Sequence, residues 1–329
     1  MGLRAVRRDL RLRTVSTARG GIAVRTVWEV RLTIDGVTGR GEAAPLPGFG
    51  GETPEACAAV LARLEELPDT DWATWEGRGP VPGEALLGAT PCARFAVEGA
   101  LLDRLARRAG QPLFAWLGGS LRHLTVNALV DDAEDARRAA DAGFPVIKAK
   151  IGGDPTAAHA RAHALAAVGV PLRLDANGTW TAEAVLAADL PPLELLEQPL
   201  PGIAGHANLR TPGRPIGLDE AIRTPADLRA AVGQAEVIVL KPQFLGGWAT
   251  FSAMAGLARR LGFEVVTTTA LEGAIGRAAA SHYAAAAGLT GRAHGLATGD
   301  RLAEDLEGEP LEVRHGRLEL RDRPGLGLG

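Results

Sequence analysis

The sequence predicts a (β/α)8-type barrel with an α+β capping domain, and three observations carry that prediction. Short apolar runs end in a polar residue at Asp175, Glu197, Asp219 and Lys241, the last three each 22 residues after the one before. Ala-rich helical stretches, such as 181–188 and 226–232, fill the intervals. Only three lysines, Lys148, Lys150 and Lys241, occur among 36 basic residues, and all fall at or beside the ends of such runs. A buried strand followed by a helix and short loops, repeated at a fixed pitch, indicates a parallel sheet.

The elements follow in order. Residues 4–14 and 21–34 read as strands, punctuated by Arg19-Gly20-Gly21 and Asp35-Gly36. A helix over 53–67 has Thr53 as N-cap and Glu55 in its first turn. A longer amphipathic helix, 91–109, leads into the barrel. Barrel strands are predicted at 124–130, in the run reaching Lys150, and at 170–175, 193–197, 216–219, 237–241, 264–269 and 294–298. The tail, 310–320, returns to strand character. The expected division is a capping segment over 1–92, a barrel over 93–299, and a tail over 300–329 that returns to the cap. A doubly wound open sheet is the alternative, but it does not gather five strand ends around one point. In a barrel those ends form the active face.

Net charge is −3 with signs scattered along the chain, so no basic stripe points to nucleic acid. No apolar run reaches membrane-spanning length, and the Arg-rich amino terminus lacks a signal-peptide core. Cys57 and Cys92 make neither a disulfide framework nor a metal pair, which fits a reducing cytoplasm. His159 and His163 lie one helical turn apart with no Glu between them and are expected on a solvated face. The six tryptophans read as core or interface residues.

The strand ends carry the chemistry. Asp175, Glu197 and Asp219 should converge, and three carboxylates at one barrel mouth repel unless a cation sits among them. Hard oxygen donors without His or Cys favour Mg²⁺, or Mn²⁺, over Zn²⁺. Lys148 and Lys150 stand two residues apart, on one face of a strand, to one side of the acids. Lys241 stands on the other. Arginine keeps its proton, whereas a buried lysine can lose one and act as a base. That requires a pKa lowered from about 10.4 towards about 7–8. Lys148 and the metal are the perturbing positive charges, because like charge disfavours an ammonium. The arrangement suits abstraction of a proton next to a carboxylate, with a divalent cation stabilising the charge that forms.

Lys148-Ala-Lys150, Leu174-Asp-Ala-Asn-Gly-Thr-Trp180, Leu196-Glu-Gln-Pro199, Leu218-Asp-Glu220 and Leu240-Lys-Pro242 resemble the enolase superfamily, in its muconate-lactonizing subgroup. Gly41-Glu-Ala-Ala-Pro-Leu-Pro-Gly-Phe49 and Thr267-Thr-Thr-Ala-Leu-Glu-Gly-Ala-Ile-Gly276 are similar to the o-succinylbenzoate synthase family within it. That resemblance covers nearly the whole chain and implies a hydro-lyase of menaquinone biosynthesis. Its substrate would be 2-succinyl-6-hydroxy-2,4-cyclohexadiene-1-carboxylate, which loses water to give o-succinylbenzoate.

Carried over by motif, Asp175, Glu197 and Asp219 bind Mg²⁺, Lys150 takes the α-proton and protonates the departing hydroxyl, Lys241 stabilises the enolate, and Lys148 tunes Lys150. Asn177 and Gln198 support the ligands from behind. Arg19, the 48–51 loop with Phe49, Gly246-Gly247 and Thr267–Thr269, with Thr269 foremost, are expected to contact substrate. The closest alternative is an N-acylamino acid racemase or dipeptide epimerase of the same superfamily, with Lys150 and Lys241 as two true bases. The stretch 293–300 lacks the Asp-x-Asp associated with dipeptide epimerases. A Schiff-base Lys241 has no need of three clustered carboxylates, and a binding module gives no reason to exclude arginine from these sites.

Overall fold

The structure, a computed structural model, describes residues 2–17, 20–49, 51–153, 155–209, 213–308 and 311–328. Arg19, Gly50 and Pro310 lie outside the described residues, so the expected Arg19 contact is not placed. An antiparallel front sheet contains β1 (Gly2–Thr17), β2 (Gly20–Ile34) and β3 (Val37–Ala43). Asp35 and Gly36, with φ of 50° and 75°, turn β2 into β3 and pair Ile34 with Val37. Consecutive positive φ at a two-residue turn matches the right-handed twist of the strands it joins. β3 was not anticipated, because Gly39 and Gly41 interrupt it. Those glycines are required: a Cβ at Gly41 would sit 1.9 Å from the Ala96 carbonyl, and one at Gly39 1.9 Å from that of Ala100.

Both carbonyls belong to the helix Pro91–Arg108, which therefore beds directly on β3. The boundary expected after residue 92 falls inside this helix. The helix Pro54–Leu64 starts where expected, with the Thr53 hydroxyl accepting from the Ala56 N–H at 3.2 Å. It stops short of residue 67.

Eight parallel strands follow: β4 (His123–Leu129), β5 (Ile147–Lys150), β6 (Leu172–Asp175), β7 (Leu195–Glu197), β8 (Ile216–Leu218), β9 (Val237–Leu240), β10 (Glu264–Thr267) and β11 (His294–Ala297). Each pairs with the next from β4 to β10, and β11 pairs with β4. A Thr268–Gly295 bridge joins the remaining edges and closes the barrel. Leu195, Val237, Val239 and Val266 fill a cluster of their own. Each such side chain contributes roughly 1.5–3 kcal/mol through burial.

The tail is shared between the cap and the barrel. The hairpin β12 (Glu312–Arg314) and β13 (Arg317–Glu319) joins the barrel, β13 pairing antiparallel with β4, rather than the front sheet. The segment before it meets the cap: Leu302 bridges to Leu12, and Glu307 pairs with Arg40 at 2.5 Å. Cys57 and Cys92 are buried free thiols, and burial pushes both thiol pKa values up. Among the described residues, no helix is long and apolar enough to cross a membrane.

Candidate active site

Strand register places the acids and one lysine side by side. Lys150 pairs with Asp175 across β5 and β6, and Asp175 with Glu197 across β6 and β7. Asp219 and Lys241 come one residue past β8 and β9. The three carboxylates are buried and offer oxygens within 4.8 Å of one another.

Their environment fits a divalent cation. Glu197 Oε2 is buried without a hydrogen-bond partner, and the cluster contains neither imidazole nor thiolate. Hard, all-oxygen donors of this kind suit Mg²⁺ or Mn²⁺. Burial, together with Asp175 and Asp219, pushes the Glu197 carboxyl up to about 8 despite the Lys148 cation. Burial and the same two aspartates push Glu220 up to about 7. Arg173, close to Asp175 in sequence, does not relieve the crowding. It pairs with Glu194 at 3.0 Å instead.

The lysines differ in partnership. Lys148 Nζ lies 2.9 Å from Asp175 Oδ2 and 2.5 Å from Glu197 Oε1. Burial opposes its charge, but Asp175, Glu197 and Asp219 outweigh that and hold the ammonium above its ordinary range. Lys241 pairs with Asp219. Among the described residues, Lys150 is the one lysine whose ammonium has no ion pair or hydrogen bond. Burial lowers its pKa, the Lys148 and Lys241 cations lower it further, and Asp175 and Asp219 oppose them. Of the three lysines, Lys150 is the one placed to shed a proton.

A cavity opens above this floor. Lys148, Lys150, Asp175, Asn177, Asp219 and Lys241 line it together with Phe49 and Thr269. Its other walls include Leu271, from the 267–276 motif, and Asn127, Leu129, Phe244 and Thr298, which the sequence did not single out. Asn127 and Thr298 do sit near the carboxyl ends of β4 and β11, the position that could have flagged them. Gly246 is not part of the lining. It ends the short helix Pro242–Leu245 with φ of 87°, and its carbonyl accepts from Arg94 at 2.6 Å. Gln198 does not reach a carboxylate either. Its Oε1 accepts from the Asp219 N–H at 2.9 Å, and its Nε2 donates to the Leu200 and Gly202 carbonyls at 2.8 Å. It therefore fixes the backbone that carries Asp219. Asn177 donates its backbone N–H to Asp175 Oδ1 at 3.0 Å.

Two sequence segments wall the cavity together. From the cap, Glu42 accepts from the Gly273 and Gly276 N–H groups at 2.5 and 2.8 Å. Burial nevertheless pushes its carboxyl up to about 7. Buried Arg25, on β2, donates to four carbonyls: Ala44 and Pro45 at 2.7 Å, Ala270 at 3.2 Å and Leu271 at 3.3 Å. It thereby locks the Leu46 loop of the cap to the Leu271 loop of the barrel. Arg223 does the same for Phe49, donating to its carbonyl while lying 5.0 Å from the Phe244 ring centre. Arg25→Lys, which cannot reach all four carbonyls, is expected to lower kcat/KM by up to about 10²-fold through misplacement of the walls. Mg²⁺ affinity, measured by calorimetry, should stay unchanged.

A family model described as Enolase C-terminal domain-like matches residues 131–329. The chain is 30% identical over 330 residues to muconate cycloisomerase 1 of Rhodococcus opacus, covering 90% of this chain and 86% of that protein. It is 32% identical over 323 residues to the L-Lys-D/L-Arg epimerase of Methylococcus capsulatus, covering 91% and 89%. Identity to o-succinylbenzoate synthase of Mycobacterium tuberculosis is 42%, over 158 residues that cover 45% of this chain and 47% of that one. The solved dipeptide epimerase of Methylococcus capsulatus, complexed with Mg and L-Arg-D-Lys, matches with a TM-score of 0.82 and 28% identity, covering 99% of this chain and 98% of that one. The chain therefore belongs to the enolase superfamily and is an enzyme of it.

Proposed function

We propose that the chain is an o-succinylbenzoate synthase, dehydrating 2-succinyl-6-hydroxy-2,4-cyclohexadiene-1-carboxylate. The observation that carries this reading is the lining of the cavity. Beyond Lys148, Lys150, Asp175, Asp219 and Lys241, its described walls are uncharged, with Leu46, Phe49, Leu129, Phe244 and Leu271 among them. They offer an apolar bed for a ring and no separate acid for the ammonium of a dipeptide. Asp300, the acid nearest the end of β11, lines a different cavity beside Arg138 and Phe144.

In this reading Asp175, Glu197 and Asp219 hold Mg²⁺, with Mn²⁺ as a substitute. When bound, the ion supplies Lewis-acid stabilisation for the charge that develops on the substrate carboxylate. Lys150 is the base: its neutral amine takes the α-proton as the carbon's electron pair moves into the enolate. The same ammonium then returns that proton to the departing hydroxyl, which leaves as water while the ring becomes aromatic. Lys241 stabilises the enolate from the opposite face. Lys148, which pairs with Asp175 and Glu197 when no ion is bound, supplies a neighbouring positive charge that keeps Lys150 short of its proton.

A second reading, racemisation of N-acylamino acids or epimerisation of dipeptides, is favoured by the placement of Lys150 and Lys241 on opposite sides of the acids. The near-full-length similarity to an epimerase supports it too. Assaying both reactions with and without a chelator separates them. The expected result is Mg²⁺-dependent dehydration that far outpaces deuterium exchange at Cα of N-succinylamino acids. Exchange without dehydration would reverse the assignment.

A further inference from the structure

Away from the barrel mouth, His159 and His163 face outward from the helix Pro155–Ala166, with ring centres 4.7 Å apart. The structure adds a partner that their spacing alone did not reveal. Asp189, just beyond the helix Ala182–Ala187, reaches both rings. Its carbonyl oxygen is 2.6 Å from His159 Nδ1 and 3.0 Å from His163 Nε2. Its carboxylate Oδ2 is 3.9 and 3.7 Å from the same two nitrogens. Ligand atoms of all three residues fall within 4.8 Å of one another.

We propose that His159, His163 and Asp189 form a second metal site, one that takes a borderline transition-metal dication such as Zn²⁺, Ni²⁺ or Cu²⁺. Two imidazole nitrogens with one carboxylate select these ions, whereas Mg²⁺ prefers oxygen alone. The nitrogen-to-carboxylate separations of 3.9 and 3.7 Å leave room between these donors for an ion with bonds of about 2.0–2.2 Å, which would displace the ring hydrogen bonds to the Asp189 carbonyl. The Asp189 side chain is 80% exposed, so its carboxylate can rotate into place without disturbing packing. Half-exposed imidazoles leave the remaining coordination positions to water. The bound ion would clip the helix that follows β5 to the segment that precedes β7. Binding restricted to the folded chain raises the thermal midpoint.

Cu²⁺ titration followed by electron paramagnetic resonance, in excess Mg²⁺ to fill the oxygen cage, tests this site. One ion with coupling to two nitrogens is expected for the wild-type chain. That signal should be lost in His159→Ala and His163→Ala, weakened in Asp189→Asn and unchanged in His123→Ala. Zn²⁺ should raise the thermal midpoint of the wild type and leave that of His163→Ala where it was. These side chains are exposed, so an unchanged midpoint without metal will show that each variant folds. A Cu²⁺ signal indifferent to both histidine substitutions, or no uptake beside Mg²⁺, would overturn the site and leave the rings as a hydrogen-bonded cap on the Asp189 carbonyl.

Discussion

Lys150→Arg is expected to lower kcat/KM for dehydration by about 10²–10⁴-fold, the range that a positioned general acid–base group supplies. The substitution keeps the positive charge and much of the length, so its loss isolates proton transfer from electrostatic binding. Substrate affinity and Mg²⁺ affinity should change little, placing the effect in kcat. The pH profile gives an independent check. Only the neutral amine accepts a proton, and burial with Lys148 and Lys241 lowers its pKa. Wild-type kcat/KM should therefore rise with pH through a limb below the ordinary lysine range, and that limb should vanish in the arginine variant. Stopped-flow dehydration assays read both. Equal rates in the two enzymes would remove Lys150 as the base.

Glu197→Gln is expected to separate activity from stability. Loss of a charged ligand should weaken Mg²⁺ binding by more than the about 10–100-fold typical of disturbing the groups behind a ligand. Activity at limiting Mg²⁺ should fall with it. Without metal the variant should nevertheless be at least as stable as wild type at high pH. The Glu197 carboxyl is pushed up to about 8 in the fold, chiefly by burial, against an ordinary value of 4.5. Its proton is therefore held by the folded chain and lost by the unfolded one between those values, so its contribution to stability declines as pH rises through that window. The amide has no such penalty. Under chelation the difference in thermal midpoint, variant minus wild type, should grow from pH 5 to pH 8, as calorimetric melts can measure. A gap that shrinks over this range would contradict the crowding of the three acids.

The barrel was legible because parallel strands buried on both faces read as apolar runs, and because their polar ends recur at equal spacing. The same spacing brought Asp175, Glu197 and Asp219 within reach of one another. Lysine scarcity marked the rim, since arginine stood almost everywhere else. The walls of the cavity were less legible. Arg25, Glu42 and Arg223 act on backbone groups distant in sequence, such as Leu271, Gly276 and Phe49, and such clamps leave no local pattern. β3 was hidden because its glycines answer to a helix lying more than fifty residues downstream. Gly246 is ambiguous for the opposite reason: a glycine ending a helix and a glycine admitting substrate look alike in sequence.

Crystals grown with Mg²⁺ provide the most direct measurement of the central claim. One ion is expected, bonded at about 2.0–2.1 Å to oxygens of Asp175, Glu197 and Asp219. Lys148 and Lys241 should be drawn back from those oxygens, and Lys150 should face the cavity without a carboxylate partner. Electron density that leaves the three acids paired to Lys148 and Lys241, with Mg²⁺ in the solvent but none between them, would contradict it.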